Sequence, residues 1–575
     1  MLLRLAAVIT LTLCVAAHAS SCAPTAITDT ATYHGTYKSH VEAFLGVQYA
    51  QDTSGKNRFK PPIPFVPSGL LDATSPGPAC PQLLGTNSLP LYLGNITATS
   101  EDCLRLNVFR PNGTTAGDNL PVMVYIHGGG FKTASKDDPV SQPGGMILLS
   151  IDNGSPVISV QINYRLGIFG FAQSAALKGD GSENAGLRDQ RLALEWVHDN
   201  IRHFGGNPDI VLIHGQSSGG LAVGMQMMAY GASRPQIFHK AIGQSQILEG
   251  GITGNFTRNA MQDVADFVGC NATSLDSDDT VMCLRNLSMT DLFAAQNLTA
   301  TNLNVGDIWL PVVDGDFLPA APSELIASGK FYNTTTMIGW CEDDTTYFID
   351  PSVANASATH AYFADYLPGF SPSHLETLLD LYPESEFEPA YFPNGTVALA
   401  KEVRRAGRIL RDIIMTCQPI YFGRALAAAG NDVYLYDQNQ TFVTPILETN
   451  YSQYGYGVPH TSEFAYMFGN LSHYDIYDFP FEPQSEDYAL MERQSKSWTS
   501  FAAWGRPSIN GTTLQGWHRA DFDDANYGIQ IIGGPHEGYA GVNGSDSARE
   551  ALRGQKLRER CGFLTSPEIV QQTNY

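Results

Sequence analysis

The chain has 575 residues, with 34 Lys and Arg against 57 Asp and Glu, so its formal net charge is −23. A surface this acidic repels phosphate, which excludes nucleic acid and anionic membranes as expected partners. Hydrophobic residues make up 43% of the chain, enough to fill a large core, which excludes a disordered protein.

The first residues have the pattern of a secretory leader. Arg4 precedes an apolar stretch at residues 5–17, and Ala17-His18-Ala19 has the small-residue spacing of a signal-peptidase site. The stretch is shorter than the roughly 20 residues of a spanning helix, so a membrane anchor is the weaker alternative. We therefore predict a signal peptide over residues 1–19 and one secreted domain over 20–575, with no integral membrane segment.

Glycosylation triplets and cysteines fit the same compartment. Asn-x-Ser/Thr triplets recur from Asn95 to Asn543. Of nine cysteines, Cys14 lies in the leader, and the even remainder favours disulfides in an oxidising environment. Neither a C-x-x-C pair nor an H-E-x-x-H motif occurs, so we expect no zinc site.

Short apolar runs alternate with helical patterns along the rest of the chain. The predicted strands are residues 122–127, 157–163, 210–214, 238–243, 335–340, 432–437 and 529–532. A helix is predicted over 187–203, where Ala193, Trp196, Val197 and Ile201 share one face. This alternation predicts an α/β fold with a large, mostly parallel central sheet flanked by helices. Ligands of such sheets bind beyond the carboxyl ends of the strands.

The most informative loop follows the predicted strand 210–214. It reads Gly215-Gln216-Ser217-Ser218-Gly219-Gly220, and a helical run follows it. A G-x-S-x-G sequence between a strand and a helix is typical of a nucleophile elbow, whose sharp turn projects the serine hydroxyl and requires flanking glycines. We predict that Ser217 is the nucleophile; the alternative is a glycine-rich turn without catalytic function.

A second glycine-rich loop follows the predicted strand 122–127. His127-Gly128-Gly129-Gly130 has the H-G-G-G pattern of esterase oxyanion holes, in which bare backbone N–H groups stabilise an alkoxide. The predicted donors are the N–H groups of Gly129, Gly130 and Ser218. The alternative is again a turn of purely structural function.

With these two loops, the chain resembles the type-B carboxylesterase/lipase family, the cholinesterase-like branch of the α/β-hydrolases. Besides the two glycine loops, the matching segments include Ser100-Glu101-Asp102-Cys103-Leu104, Asn163-Tyr164-Arg165-Leu166-Gly167, Phe204-Gly205-Gly206-Asn207-Pro208 and Pro311-Val312-Val313-Asp314-Gly315. The resemblance implies one catalytic domain and a triad in the order Ser, acid, His.

The base and the acid then have to follow Ser217. Among the downstream histidines, His460 and His536 both lie in turn-rich loops, and the residues alone leave both open. The resemblance implies His460, because Glu463, Phe464 and Phe468-Gly469 follow it as in the family. It also implies a secondary hydrogen-bond network formed by Glu463 and Ser245.

The acid falls in Gly339-Trp340-Cys341-Glu342-Asp343-Asp344-Thr345. Relatives have a G-x-x-x-D-E-G pattern, so counting from Gly339 places Asp344 at the family's Glu, with Thr345 replacing a glycine. Aspartate is one methylene shorter but can still orient an imidazole. Glu342 and Asp343 are the alternatives.

The resemblance also implies three disulfides: Cys80 with Cys103, Cys270 with Cys283, and Cys417 with Cys561. Cys22 and Cys341 remain unassigned. In relatives the loop between Cys80 and Cys103 covers the entrance to the site. Here it is rich in leucine and contains no Trp, the residue that a quaternary-ammonium cage prefers, so cholinesterase activity is disfavoured.

The sequence therefore predicts a secreted serine esterase that cleaves small to medium apolar esters through an acyl-enzyme, with no metal or cofactor. A lipase or sterol-ester hydrolase, with residues 80–103 as a flap over a lipid ester, is one alternative. For this segment itself, a loop that simply packs against the protein is favoured over a flap. A catalytically silent, cholinesterase-like adhesion module is the alternative from another class.

Overall fold

The structure, a computed structural model, describes residues 23–86, 94–299, 308–471, 482–509 and 511–573. The predicted leader and Cys22 lie outside the described residues. The described chain forms a single domain around an eleven-stranded mixed sheet. In chain order its strands are β1 (Thr36–Lys38), β2 (Val41–Gln48), β3 (Arg105–Arg110), β4 (Leu120–Ile126), β5 (Ile158–Ile162), β6 (Gly206–Gln216), β7 (Lys240–Gln244), β8 (Thr335–Cys341), β9 (Val433–Gln438), β10 (Ile529–Ile532) and β11 (Gly538–Tyr539).

The spatial order of the sheet is β11-β10-β9-β8-β7-β6-β4-β5-β3-β2-β1. Every pair from β5 through β4 and β6 to β10 is parallel, whereas β11 and the three strands β1 to β3 pair antiparallel at the two edges. The registers align Ile126 with Gly215, and Gln244 with both Gln216 and Gly339. The loops after β4, β6, β7 and β8 therefore leave the sheet at one common edge.

Helices connect these strands and cover the sheet. They are Gly144–Asp152, Gly167–Phe171, Ala175–Gly179, Ala185–Asn200, Ser218–Met228, Phe256–Phe267, Asp278–Asn286, Met289–Thr299, Pro322–Ala327, Ala356–Tyr366, Pro372–Asp380, Lys401–Arg411, Cys417–Ala428, Val443–Tyr451, Phe464–Met467, Ser485–Trp504, Asp546–Gly554, Leu557–Leu564 and Pro567–Gln572. A π-helical turn, Asp412–Thr416, joins two of them. Small sheets add the strand sets Thr25–Ile27, Ala31–His34 and Gly69–Asp72; Gly85–Thr86 and Asn95–Ile96; and Ala390–Tyr391 and Val397–Leu399.

The predicted α/β fold is confirmed, and each of the seven predicted strands lies in the parallel part of the sheet. The central strands are buried on both faces, since every residue of Val122 to Ile126 is at most 2% exposed. Such strands are continuous apolar runs, which is the pattern that the sequence presents. The predicted helix 187–203 corresponds to Ala185–Asn200 and the 3₁₀ turn Ile201–Phe204 that follows it.

The antiparallel edge strands were not among the predictions. In β2 the buried residues Val41 to Leu45 include Glu42, whose carboxylate pairs with Arg110 of β3 at 2.7 Å. A charged residue inside an apolar run weakens the sequence pattern of a strand. The buried charge of Glu42 is compensated by Arg110, a partner 68 residues away that the local sequence does not reveal.

Three disulfides tie loops and helices to this core: Cys80 to Cys103, Cys270 to Cys283 and Cys417 to Cys561. Cys341 is free and buried. The Cys80–Cys103 bond closes the loop that borders the site described below.

Replacing both Cys417 and Cys561 by Ser is expected to destabilise the protein more than the same replacement at Cys270 and Cys283. The first bond spans 144 residues and the second 13. In the chain-entropy model, a loop of roughly 100 residues contributes about 4.7 kcal/mol and one of roughly 15 residues about 3 kcal/mol. Calorimetric Tm values of the two double variants measure the order, and equal losses would contradict it.

Candidate active site

The turn after β6 presents Ser217 in an unusual backbone conformation. Its φ is 60° and its ψ is −135°, a strained combination for a residue with a Cβ. Ser217 N–H donates to Gln244 O at 2.9 Å, and helix Ser218–Met228 begins directly after it. Strained residues of this kind concentrate at functional sites, where the surrounding structure holds them in place.

Close backbone packing explains the glycines of both loops. A Cβ at Gly219 would lie 2.2 Å from Ile126 O, and a Cβ at Gly128 would lie 2.4 Å from Gln216 O. Neither distance is compatible with a side chain. The glycines therefore allow the loop after β4 to lie directly against the turn that carries Ser217.

The loop after β4 supplies unused backbone donors. Gly129 has φ +96° and Gly130 has φ +60°, and no described hydrogen bond uses either N–H group. Phe131 N–H donates to Ser218 Oγ at 3.1 Å, which joins this loop to the start of helix Ser218–Met228. The Ser218 N–H belongs to the first turn of that helix, whose N–H groups have no acceptor within the helix. The three N–H groups predicted as oxyanion donors thus belong to adjoining segments.

The structure brings Asp344 and His460 into direct contact. Asp344 Oδ1 lies 2.5 Å from His460 Nδ1, and both side chains are fully buried. The Phe348 ring packs edge-on against the imidazole at 5.3 Å. An Nδ1–H donated to a carboxylate leaves Nε2 as the basic nitrogen of the ring.

The free edge of the imidazole reaches the nucleophile turn. His460 Nε2 lies 3.0 Å from Gln216 Nε2, the side-chain nitrogen of the residue that precedes Ser217. None of the described hydrogen bonds joins the Ser217 hydroxyl to His460. Catalytic hydrogen bonds often form only when substrate is bound, so this geometry is compatible with a serine–histidine pair.

The alternatives for acid and base lie elsewhere. Glu342 accepts a hydrogen bond from Asn439, and Asp343 Oδ2 accepts one from Val458 N–H at 3.1 Å. His536 is exposed, and its Nδ1 lies 2.7 Å from Ser547 Oγ. None of the described side-chain hydrogen bonds joins Glu342, Asp343 or His536 to the Asp344–His460 pair.

Glu463 lies behind the pair in a buried cluster. Its carboxylate accepts hydrogen bonds from Gln244 Nε2 and from the Cys341 thiol, both at 3.3 Å. Burial and the nearby Asp344 carboxylate raise the pKa of Glu463. The described hydrogen bonds do not join Glu463 to Ser245, whose hydroxyl is buried without a described partner. The network of Glu463 with Ser245 stays a prediction.

A cavity of about 310 Å³ opens beside the glycine loop. Its described wall includes Gly128, Gly129 and Gln216 together with residues of the Cys80–Cys103 loop. Leu83 and Leu84 of that loop are 62% and 64% exposed, whereas Ile96 is 9% exposed. Residues 87–93, the leucine-rich centre of the predicted flap, lie outside the described residues.

Sequence patterns do not indicate the contacts of two residues of this region. Gln216 lies inside the recognised motif, but its contact with His460 joins positions 244 residues apart. Asp138 lines the cavity, although no motif includes it. Cys341, which the sequence leaves unassigned, is free and buried. Within the described ranges, no group of three His, Cys, Asp or Glu side chains is placed to hold a metal ion.

The fold agrees with the comparisons to known proteins. Residues 25–535 match the carboxylesterase family model, so the chain belongs to the carboxylesterase family. It is a carboxylic-ester hydrolase of the α/β-hydrolase fold.

Individual relatives span nearly the whole chain. A secreted lipase of Arthroderma benhamiae is 44% identical over 95% of this chain and 94% of its own length. The inactive carboxylesterase-like protein VdtD of Byssochlamys spectabilis is 34% identical over 93% of both chains. The crystal structure of Aspergillus niger EstA superposes with a TM-score of 0.75 at 25% identity, covering 96% of this chain and 99% of that one.

His214, on β6 beneath the site, is expected to make the stability depend on pH. Burial lowers its pKa to about 3, and its ring packs 5.1 Å from Tyr125. The unfolded histidine has a pKa of about 6.5, so between about pH 3 and pH 6.5 the unfolded state binds the extra proton and stability falls as pH falls. His214→Gln should reduce the slope of unfolding free energy against pH by up to about 1.4 kcal/mol per pH unit.

Denaturant unfolding of wild type and variant at several pH values measures this difference in slope. His198→Gln, at an exposed position, controls for the loss of a histidine as such. Identical slopes for wild type and His214→Gln would contradict the prediction.

Proposed function

We propose that the protein is a serine hydrolase in which Ser217, His460 and Asp344 form the catalytic triad. The observation that carries this proposal is the buried Asp344–His460 pair, whose Nε2 lies 3.0 Å from the residue next to Ser217. Beside that turn lie the unused N–H groups of Gly129 and Gly130. A base, its orienting carboxylate and oxyanion donors around one serine are the requirements of acyl transfer.

The proposed reaction has two steps. His460 Nε2 takes the Ser217 proton while Oγ attacks the ester carbonyl, and the N–H groups of Gly129, Gly130 and Ser218 stabilise the alkoxide. The intermediate then collapses, the alcohol leaves with the proton from His460, and an acyl-enzyme remains. Water, deprotonated by His460, attacks the acyl-enzyme and releases the acid. Asp344 stabilises the imidazolium in both steps.

A fluorophosphonate probe is expected to label the wild-type protein at Ser217 and to fail with Ser217→Ala. Ser373, an exposed serine outside the site, is the control, and Ser373→Ala should retain the label. Peptide mass spectrometry identifies the labelled residue. An unlabelled wild type would instead favour the catalytically silent alternative, to which the name of the relative VdtD gives specific support.

For the substrate we propose small to medium apolar carboxylic esters. The cavity of about 310 Å³ is at the small end of ligand pockets, and its wall includes Ile96, Tyr125, Val140 and Phe464. A lipase is the second candidate. The relative named secreted lipase and the exposed Leu83 and Leu84 at the mouth of the cavity favour it.

A series of p-nitrophenyl esters from acetate to palmitate separates the two candidates. For the esterase, kcat/KM is expected to peak at short chains and to fall by about tenfold or more towards palmitate, because a small cavity holds only a short chain. Ser217→Ala gives the background rate at each length. A maximum at palmitate, together with a rate increase on emulsified substrate, would assign the protein as a lipase.

We also propose that the protein is secreted as one domain, residues 20–575, after removal of residues 1–19. The name of the 44% identical relative and the three disulfides support this proposal. Across the described residues, no helix meets the length and hydropathy needed to cross a bilayer.

A further inference from the structure

The cavity beside the glycine loop has a polar feature that an apolar ester does not require. Asp138 lies on its wall, against the Cys80–Cys103 loop, where a Cβ at Gly94 would be 3.3 Å from Asp138 Oδ1. The carboxylate accepts a hydrogen bond from Ser135 N–H at 3.2 Å, and the Ser135 hydroxyl lies 3.5 Å away. Two carboxylate oxygens have about four acceptor positions, so capacity remains for a ligand.

Among the described residues of the wall, no cation compensates this carboxyl group. The described wall contains neither Lys nor Arg, and the adjacent Lys136 bonds to Asp137 and to Pro76 O instead. His127 is also on the wall, but burial lowers its pKa to about 4, so it is neutral at pH 7. Burial raises the pKa of Asp138 to about 7, which reflects the lack of a compensating charge.

Other polar side chains of the described wall are already engaged within the protein. Gln82 donates to Ala134 O at 2.8 Å and accepts from the Thr133 hydroxyl at 3.0 Å. The Ser141 hydroxyl donates to Asp138 O at 3.2 Å, and the Gln216 amide is in contact with His460. Asp138 therefore offers spare acceptor capacity on this wall, and no Lys or Arg of the described wall compensates its carboxyl group.

We propose that Asp138 is a specificity-determining residue that selects esters with a hydrogen-bond donor, a hydroxyl or ammonium group, at the end of the chain that enters this cavity. The inference rests on the proposed function, since the ester bond is taken to lie at Ser217. Gly128 and Gly129 on the same wall place the carbonyl end of the substrate, and Asp138 would bind its far end. A donor there replaces water on the half-buried carboxylate, whereas a methyl group displaces that water and leaves part of the acceptor capacity unfilled.

Two sets of esters with a six-carbon chain test the proposal. In one set the chain is in the alcohol and in the other it is in the acid, and in each set it ends in a methyl, a hydroxyl or an ammonium group. In one of the two sets, wild-type kcat/KM is expected to be about tenfold higher for the hydroxyl or ammonium ester than for the methyl ester, mainly through KM. The set that responds identifies which part of the ester enters the cavity.

Variants at position 138 separate charge from hydrogen bonding. Asp138→Leu should bring the hydroxyl-to-methyl ratio to about one or reverse it. Asp138→Asn keeps a hydrogen-bond acceptor without the charge, so it should retain a preference for hydroxyl over methyl but lose the preference for ammonium. Asp199→Asn removes one negative charge at an exposed position and is the matched control, for which the wild-type ratios are expected.

The proposal is wrong if the wild type prefers the methyl ester in both sets, or if Asp138→Leu keeps the wild-type ratios. The wild-type ratios test it even if Asp138→Leu does not fold. Failure of the proposed function has a different signature, because Ser217→Ala would then hydrolyse every ester of both sets at the wild-type rate.

Discussion

The geometry of the site depends on one contact between two backbones. The loop that follows β4 lies against the turn that follows β6 so closely that neither Gly128 nor Gly219 could carry a side chain. The pairing of β4 with β6 fixes this contact, since Ile126 and Gly215 are neighbours in the register. Hydrogen bonds of the sheet, rather than flexible side chains, therefore set the distance between the Ser217 hydroxyl and the bare N–H groups.

This constraint forces Ser217 into a strained conformation, and the sheet holds the residue in it. A non-glycine residue in the conformation of Ser217 costs on the order of 1–3 kcal/mol and persists only where its surroundings determine it. Here Ser217 N–H is bound by Gln244 of β7, and helix Ser218–Met228 begins directly after it. Preorganised donors do not have to reorient during the reaction, which is the main advantage of electrostatic stabilisation by backbone amides.

The sequence predicted best what is local or strongly apolar. All seven predicted strands are in the sheet because buried parallel strands are continuous apolar runs, and both glycine loops are short motifs. The edge strands were missed because a residue such as Glu42 is explained only by Arg110, far along the chain. Likewise, residues alone could not choose between His460 and His536, since the choice depends on which loop returns to the edge of the sheet that carries Ser217. Family resemblance favours His460, and a count from Gly339 along the family pattern favours Asp344; the structure pairs the two side chains, and their catalytic roles stay a prediction.

Long-range contacts also explain what no motif indicated. Gln216 contacts a ring 244 positions away, and Asp138 lines the cavity together with the Cys80–Cys103 loop, which packs against it. A charged residue in a loop is usually solvated, so its sequence neighbours carry no signal of a cavity. Substrate selection in this family member would then depend on the residues that its fold assembles around a shared reaction centre.

The free thiol of Cys341 has a consequence for how the chain matures. Thiol–disulfide exchange requires a thiolate, and burial together with Glu463 and Asp344 raises the pKa of Cys341 far above its ordinary range. Once β8 is paired with β7 and β9, the Cys341 sulfur is buried and can no longer exchange with the three disulfides. If the central sheet closes before the peripheral bonds form, isomers in which Cys341 is mispaired are therefore avoided. If the chain is oxidised before the sheet closes, Cys341 remains available for mispairing.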